Sequence, residues 1–216
     1  MANGFIILFG LSVLYLSATS RLKTHINILT IQGILLFLIC TSNFSHYPLA
    51  MTIFLTVETL IVKAGIIPIF LTKILNNTHS NRDSDANIAH FYCLIISSLI
   101  LFGGFLFSLI KIPALSMVNP ICFGIALSTI IISLWLITIK HKILSHVIAF
   151  ISMENGIFLL SLSTSKEMSM LVNIGVLLDI FIAVYILGLF ASQINTEFND
   201  MEVTHLSDLK DCENND

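Results

Sequence analysis

Residues 142–191 read KILSHVIAFISMENGIFLLSLSTSKEMSMLVNIGVLLDIFIAVYILGLFA, and this stretch decides the fold. Two continuous apolar runs flank a short polar turn, and each run carries one carboxylate near its middle. Glu154 is the only charge between Ile143 and Ser163, and Asp179 is the only one between Met170 and Ala191. An α-helix needs about 20 apolar residues to cross a roughly 30 Å hydrocarbon core, so the stretch reads as a helical hairpin through a bilayer. An ionised acid at that depth costs about 2.5–3.5 kcal/mol on the most lenient scale. Two such acids, each halfway along its span and facing the other across the hairpin, call for a role. Proton or ion handling inside a membrane bundle is the leading one.

The rest of the chain is of the same kind. Of its 216 residues, 56% are hydrophobic and 11% charged, and the mean hydropathy is +0.95. A soluble domain carries about a quarter charged residues. Apolar runs at about 3–20, 26–43, 48–72, 91–110, 119–139, 143–163 and 170–191 give an all-α integral membrane protein with seven expected spans. The runs are continuous rather than alternating, which excludes a transmembrane β-barrel. The expected organisation is a three-helix unit over 1–72, a polar loop over 73–90 and a linking helix within 91–118. A second three-helix unit over 119–191 and an acidic tail over 192–216 complete it.

Lipid is the first partner such a chain implies, and nothing points to nucleic acid. The four cysteines, Cys40, Cys93, Cys122 and Cys212, show no Cys-x-x-Cys spacing. Three lie in apolar runs and read as small apolar fillers rather than metal ligands. No phosphate loop, nucleophile motif or His-x-x-x-His pair occurs, so neither a metal nor a bound cofactor is expected.

Charge sets the orientation. With seven spans, Arg21, Lys23, Lys73, Arg82, Lys140, Lys142 and Lys210 share one side, and Lys111 and Lys166 share the other. The positive-inside rule then puts the N-terminus outside and the acidic tail in the cytoplasm. The first 20 residues lack a basic leader, and Arg21 and Lys23 follow the apolar run, so they read as a retained helix. Pro48, Pro113 and Pro120 sit at span ends, whereas Pro68 lies inside the third span and is expected to kink it.

Spans 1–3 and 5–7 read as two versions of one unit, each with a basic turn between its first two helices. Gln32 and Glu58 are then matched by Glu154 and Asp179, at separations of 26 and 25 residues. Units of this kind would be parallel repeats, although many polytopic chains share such a pattern.

Several polar residues at membrane depth are candidates for a proton path. Glu154 and Asp179 can hold one proton between them, since two carboxylates in one apolar site do not both ionise readily. The structural alternative is a protonated acid in a fixed hydrogen bond to a neighbouring helix. His146 lies eight residues before Glu154 on the same side, about 12 Å away along the axis, and either loads protons or is an interfacial structural group. Glu58 and Lys63 are the only charges in the third span. At about 100° per residue their directions differ by about 140°, so each should face a partner helix or a neighbouring subunit. Helix gluing and transport are equal readings for them. Gln32 suits an interhelical hydrogen bond, and Asn155, Gly156 and Asn173 can hold water or permit close packing.

Two stretches carry a family resemblance. LLDIFIAVYILGLFASQINTEFNDMEVTHLSDLK resembles the last helix and tail of the small subunit K of complex I, with Asp179 at the place of a mid-helix glutamate. IKHKILSHVIAFISMENGIFLL resembles the basic turn and second helix of that subunit, with Glu154 about a turn deeper than the family's acid. Over nearly its whole length, including VETLIVKAGIIPIFL around Glu58 and Lys63, the chain is similar to the hydrogenase-4 component E family, a longer relative of subunit K. The resemblance implies a non-catalytic inner-membrane subunit of a complex I-like assembly, with a group 4 nickel–iron hydrogenase or formate hydrogenlyase arm. Its partners would be larger antiporter-like subunits that share a chain of buried charges. It also implies that the MEVTHLSDL part of the tail docks on a neighbouring subunit. Alternative readings are a subunit of an Mrp-type cation/proton antiporter, part of an antiporter-linked uptake system, and a purely structural membrane-arm subunit.

Overall fold

A computed structural model of the chain describes residues 2–42, 56–77, 90–109, 119–140, 142–164 and Gly188. The chain divides into two compact units, Met1–Leu177 and Leu178–Asp216. Of the second, only Gly188 is among the described residues, so the architecture below is that of the first.

Every described element in it is helical. They are α1 (Ala2–Ala18), α2 (Leu22–Ser42), a π-helix π1 (Glu58–Ile66) that runs directly into α3 (Ile67–Asn77), α4 (His90–Leu109), α5 (Pro120–Ile139) and α6 (Ile143–Thr164). Among the described residues, five helical stretches are long and apolar enough to cross a membrane: Leu22–Ser42, Thr59–Asn76, Phe91–Leu109, Pro120–Ile139 and Leu144–Ser163. α1 is an apolar helix of 17 residues. The seventh expected span, 170–191, lies outside the described residues, and with it the last helix of the proposed second repeat.

Two boundaries differ from the sequence reading. α2 begins at Leu22, so Lys23 and His25 lie in its first turn rather than in a connecting turn. The ring Nε2 of His25 donates to the Thr19 carbonyl (2.9 Å) and closes the sharp turn from α1. α3 continues to Asn77, which takes Lys73 out of the expected loop. The extension follows from its apolar stripe, because Ile67, Leu71 and Leu75 recur at every fourth position and are all buried.

Packing follows the heptad-like spacing of each apolar face. α1 buries Ile6, Phe9, Val13 and Leu16 and turns Ile7, Leu8, Leu11 and Tyr15 outward. α2 is buried over a broad arc, and α6 is 61% buried over its apolar window; these two form the interior of the bundle. α5 makes the most extensive pairing with α6, while α2 touches α1, π1, α3 and α6. α4 buries only 11% of its window, which makes it the peripheral helix. Its outer side exposes Phe91, Tyr92, Leu99, Phe102 and Leu109, the chemistry expected of a surface that meets lipid or another apolar helix.

α4 is held to α5 by small residues. Ser128 Oγ donates to the Ile100 carbonyl across the seam (3.3 Å) and to Gly124 O within its own helix (2.8 Å). A methyl group at Gly124 would press on the Gly104 carbonyl and stand 3.0 Å from Ser108 Cβ. Backbone cannot yield as a side chain does, and small residues are what let membrane helices approach this closely. Gly124→Ala is therefore expected to destabilise the α4–α5 contact by about 1–3 kcal/mol, measured as a lower thermal midpoint of the detergent-solubilised protein.

Pro68 is accommodated by a change of helix type. Its ring would clash with the carbonyl four residues back, and it has no N–H to extend an α ladder. The nine residues before Ile67 take up the π pattern, in which Ile67 N–H bonds to Val62 O, five residues back. Pro68 then falls in the first turn of α3, where a missing N–H is tolerated. The sequence reading expected an α-helical third span kinked at the proline; the irregularity instead occupies the stretch that carries Glu58 and Lys63.

Candidate functional site

The buried polar side chains of Gln32, Lys63, Ser152, Glu154 and Asn155 come together where π1, α2 and α6 meet. Lys63 Nζ lies 3.1 Å from Glu154 Oε1, and the two side chains are 3% and 4% exposed. The same ammonium stands over the Phe158 ring, 4.6 Å from its centroid. Glu154 and Phe158 are four residues apart and share a face of α6. Neither Lys63 Nζ nor the two Glu154 oxygens makes an aligned hydrogen bond among the described residues, so the contact is an ion pair. Each charge alone at this depth would cost several kcal/mol to desolvate. Together they leave a dipole with no net charge.

A second cluster lies beside the first. Gln32 Nε2 on α2 donates to Ser152 Oγ (3.5 Å), and Asn155 Nδ2 donates to Gln32 Oε1 (3.2 Å). Gln32, Ser152 and Asn155 are all buried. Asn155 Oδ1 and both Glu154 oxygens are buried acceptors with no hydrogen bond among the described residues, the kind of group that an internal water satisfies. Replacing Gln32 by leucine would remove both amide bonds and orphan the Asn155 donor. Gln32→Leu is expected to lower stability by about 0.6–2 kcal/mol, read as a lower thermal midpoint.

α2 ties the two clusters together. Gly33 follows Gln32 and packs on the backbone of π1, where a Cβ would stand 2.8 Å from Ala64 N and 2.9 Å from Lys63 C. The absence of a side chain at 33 thus sets how closely Lys63 approaches α6. On the other side of α6, Gly156 packs against Thr129 and Ile130 of α5.

The remaining sequence candidates fall elsewhere. His146, near the start of α6, is half-buried. Its Nδ1 lies 2.8 Å from the Lys142 carbonyl, and since a carbonyl only accepts, Nδ1 carries the proton and Nε2 is the basic nitrogen. Glu58 opens π1, but its side chain lies outside the described residues, as do Asp179 and Asn173 entirely. The expected Glu154–Asp179 pairing therefore lies outside them too. The described cysteines, Cys40, Cys93 and Cys122, are all buried.

Spacing did not reveal the Lys63–Glu154 pair, the ring of Phe158 or the part played by Gly33. One signal was present: a lone cation and a lone anion, each at mid-span in a different apolar helix, are each other's natural partner. Residues 58–66 do not have α geometry, so the separation of about 140° expected of Glu58 and Lys63 on an α-helix does not hold for them.

Against known proteins, the chain is 26% identical over 151 residues to hydrogenase-4 component E of Escherichia coli (strain K12), a match that covers 69% of this chain and 69% of that one. Hydrogenase-4 component E of Escherichia coli O157:H7 and of Shigella flexneri match with the same identity and coverage. The chain is thus similar to hydrogenase-4 component E. No family model matches it, and no solved structure matches it.

Proposed function

We propose that this chain is an inner-membrane subunit of a hydrogenase-type, complex I-like assembly, and that the Lys63–Glu154 pair is a station on a proton path through it. The observation that carries the reading is the pair itself. A cation and an anion from helices far apart in sequence meet in the apolar interior, where simple packing would be served by apolar residues. The similarity to a component of hydrogenase-4 supplies the setting. In this reading the redox chemistry belongs to other subunits, and antiporter-like membrane subunits are the neighbours. The basic side of the bundle and the acidic tail face the cytoplasm, as the distribution of lysine and arginine argues. His146 loads protons from that side, and Asp179, with Glu58, continues the path beyond the pair.

The chemistry is proton exchange at Glu154. With the carboxylate ionised, Lys63 balances it; when the carboxylate takes a proton from a protonated water and releases neutral water, the pair becomes a neutral acid beside an ammonium. The buried acceptors Glu154 Oε2 and Asn155 Oδ1 suit water that delivers and removes that proton. Mass spectrometry of what co-purifies with a tagged copy is expected to find hydrogenase and antiporter-like subunits. Proton translocation by vesicles holding the complex is expected to fall at least about tenfold in Glu154→Gln. Unchanged translocation per assembled complex would remove the proton-path reading. A structural reading has support in the Gln32–Ser152–Asn155 hydrogen bonds, which join α2 to α6. It predicts lost assembly with unaltered translocation in the complexes that remain.

A further inference from the structure

Proton exchange at Glu154 raises a problem that the ion pair does not solve. Once the carboxylate is neutral, Lys63 is a cation in an apolar interior with no other anion facing it among the described residues. Leaving one partner of a buried pair uncompensated is strongly destabilising, so a station that relied on Glu154 alone would lose Lys63 at each proton uptake. The side chain would withdraw toward the membrane surface or give up its own proton.

The geometry supplies a remedy. Lys63 Nζ sits 4.6 Å from the centroid of Phe158 while it is 3.1 Å from Glu154 Oε1. Both seats lie on one face of α6, four residues apart. Phe158 is itself 4% exposed, so the ring face is shielded from bulk solvent. The ring quadrupole attracts a cation most strongly when the contact is desolvated. The lysine backbone is fixed from behind by the close contact of Gly33 with Lys63 C and Ala64 N, which holds the ammonium within reach of both groups.

We propose that Phe158 is a positioning residue for Lys63, its ring forming a seat for the ammonium that does not depend on the charge of Glu154. The proposal rests on the proton-path reading for its purpose. In the resting pair the charges sum to zero. When a protonated water delivers its proton, one O–H bond breaks on the hydronium and one forms on Glu154, neutral water leaves, the pair's net charge becomes +1, and that charge stays on the ammonium over the ring. When the proton leaves to water, the ion pair is restored with Lys63 still in place. The ring forms and breaks no bond.

Two measurements test this on the full chain in its native membrane complex. The first is a stability cycle of Phe158→Leu, Glu154→Gln and the double variant. A ring that seats the ammonium makes Phe158→Leu shift the folded-to-unfolded ratio on the order of 20-fold more in the Glu154→Gln background than in the parent. An equal effect in both backgrounds overturns the proposal, because lost packing alone would be the same in each. If the leucine double variant fails to assemble, phenylalanine analogues with one, two and three ring fluorines replace it at 158 in both backgrounds. They keep the shape and weaken the quadrupole.

The second measurement is proton translocation across the same fluorine series. Translocation should fall stepwise with each fluorine and be retained in Phe158→Trp. A flat series in a complex that loses translocation in Glu154→Gln overturns the seat and leaves the proton path standing. Translocation indifferent to Glu154→Gln overturns the proton path, and the stability cycle then decides the seat by itself.

Discussion

Glu154→Gln alone is expected to destabilise the bundle more than the double change Glu154→Gln with Lys63→Met. The single change leaves a buried ammonium without its anion, and breaking one side of such a pair costs about 3–5 kcal/mol. The Phe158 ring offsets part of that. The double change removes both charges and leaves an unbranched apolar chain of similar length in place of the lysine. Replacing a whole buried pair in this way is often neutral or stabilising, so most of the loss should be recovered. The measurement is the thermal midpoint of the purified complex, taken beside proton translocation in vesicles. Stability should return in the double variant while translocation stays lost. A double variant no more stable than Glu154→Gln would mean that the 3.1 Å contact is not an energetic unit.

Gly33→Ala is expected to have the next largest effect, although it adds only one methyl group and touches no charged side chain. The methyl would meet Ala64 N at 2.8 Å and Lys63 C at 2.9 Å, and both are backbone atoms. Either π1 or α2 has to move. If π1 moves, Lys63 is carried away from Glu154; if α2 moves, Gln32 is drawn off Ser152 and Asn155. Overpacking of this kind costs about 1–3 kcal/mol by itself, and partial loss of the ion pair adds to it. Translocation should fall with stability in Gly33→Ala, whereas Gly124→Ala, at the seam that holds α4, should lower stability and leave translocation per complex intact. Equal translocation in the two alanine variants would detach Gly33 from the site.

These expectations depend on contacts that the sequence only partly discloses. Apolar runs near 20 residues placed the described helices to within a few residues, because length and hydrophobicity are local properties. The exceptions have physical causes. α2 reaches back to Leu22 because His25 closes the turn on Thr19, and α3 runs on to Asn77 because Leu71 and Leu75 continue its buried stripe. The site was legible as separate residues: Gln32, Lys63, Glu154 and Asn155 each stand out as polar groups in apolar spans. Which of them meet was not legible. Repeat spacing and depth point to Asp179, which lies outside the described residues, and give no sign that Lys63 meets Glu154. The π-helix that carries Lys63 has no clear sequence mark beyond Pro68, and Phe158 reads as one more apolar residue in an apolar helix.

The distance along the chain between Lys63 and Glu154 also matters while the protein is being made. Roughly 90 residues separate them, and a ribosome adds about 5–20 residues per second. The pass that carries the lysine therefore waits on the order of 5–20 seconds before its carboxylate exists. During that interval the cation has neither Glu154 nor the Phe158 ring. Insertion of π1 with α3 must lag behind synthesis, lean on a neighbouring subunit, or keep the lysine near the membrane surface until α6 arrives. The pair thus acts as a late latch. The contacts of Lys63 with Glu154 and Phe158 form only when the SMENGIF segment of α6 has been added.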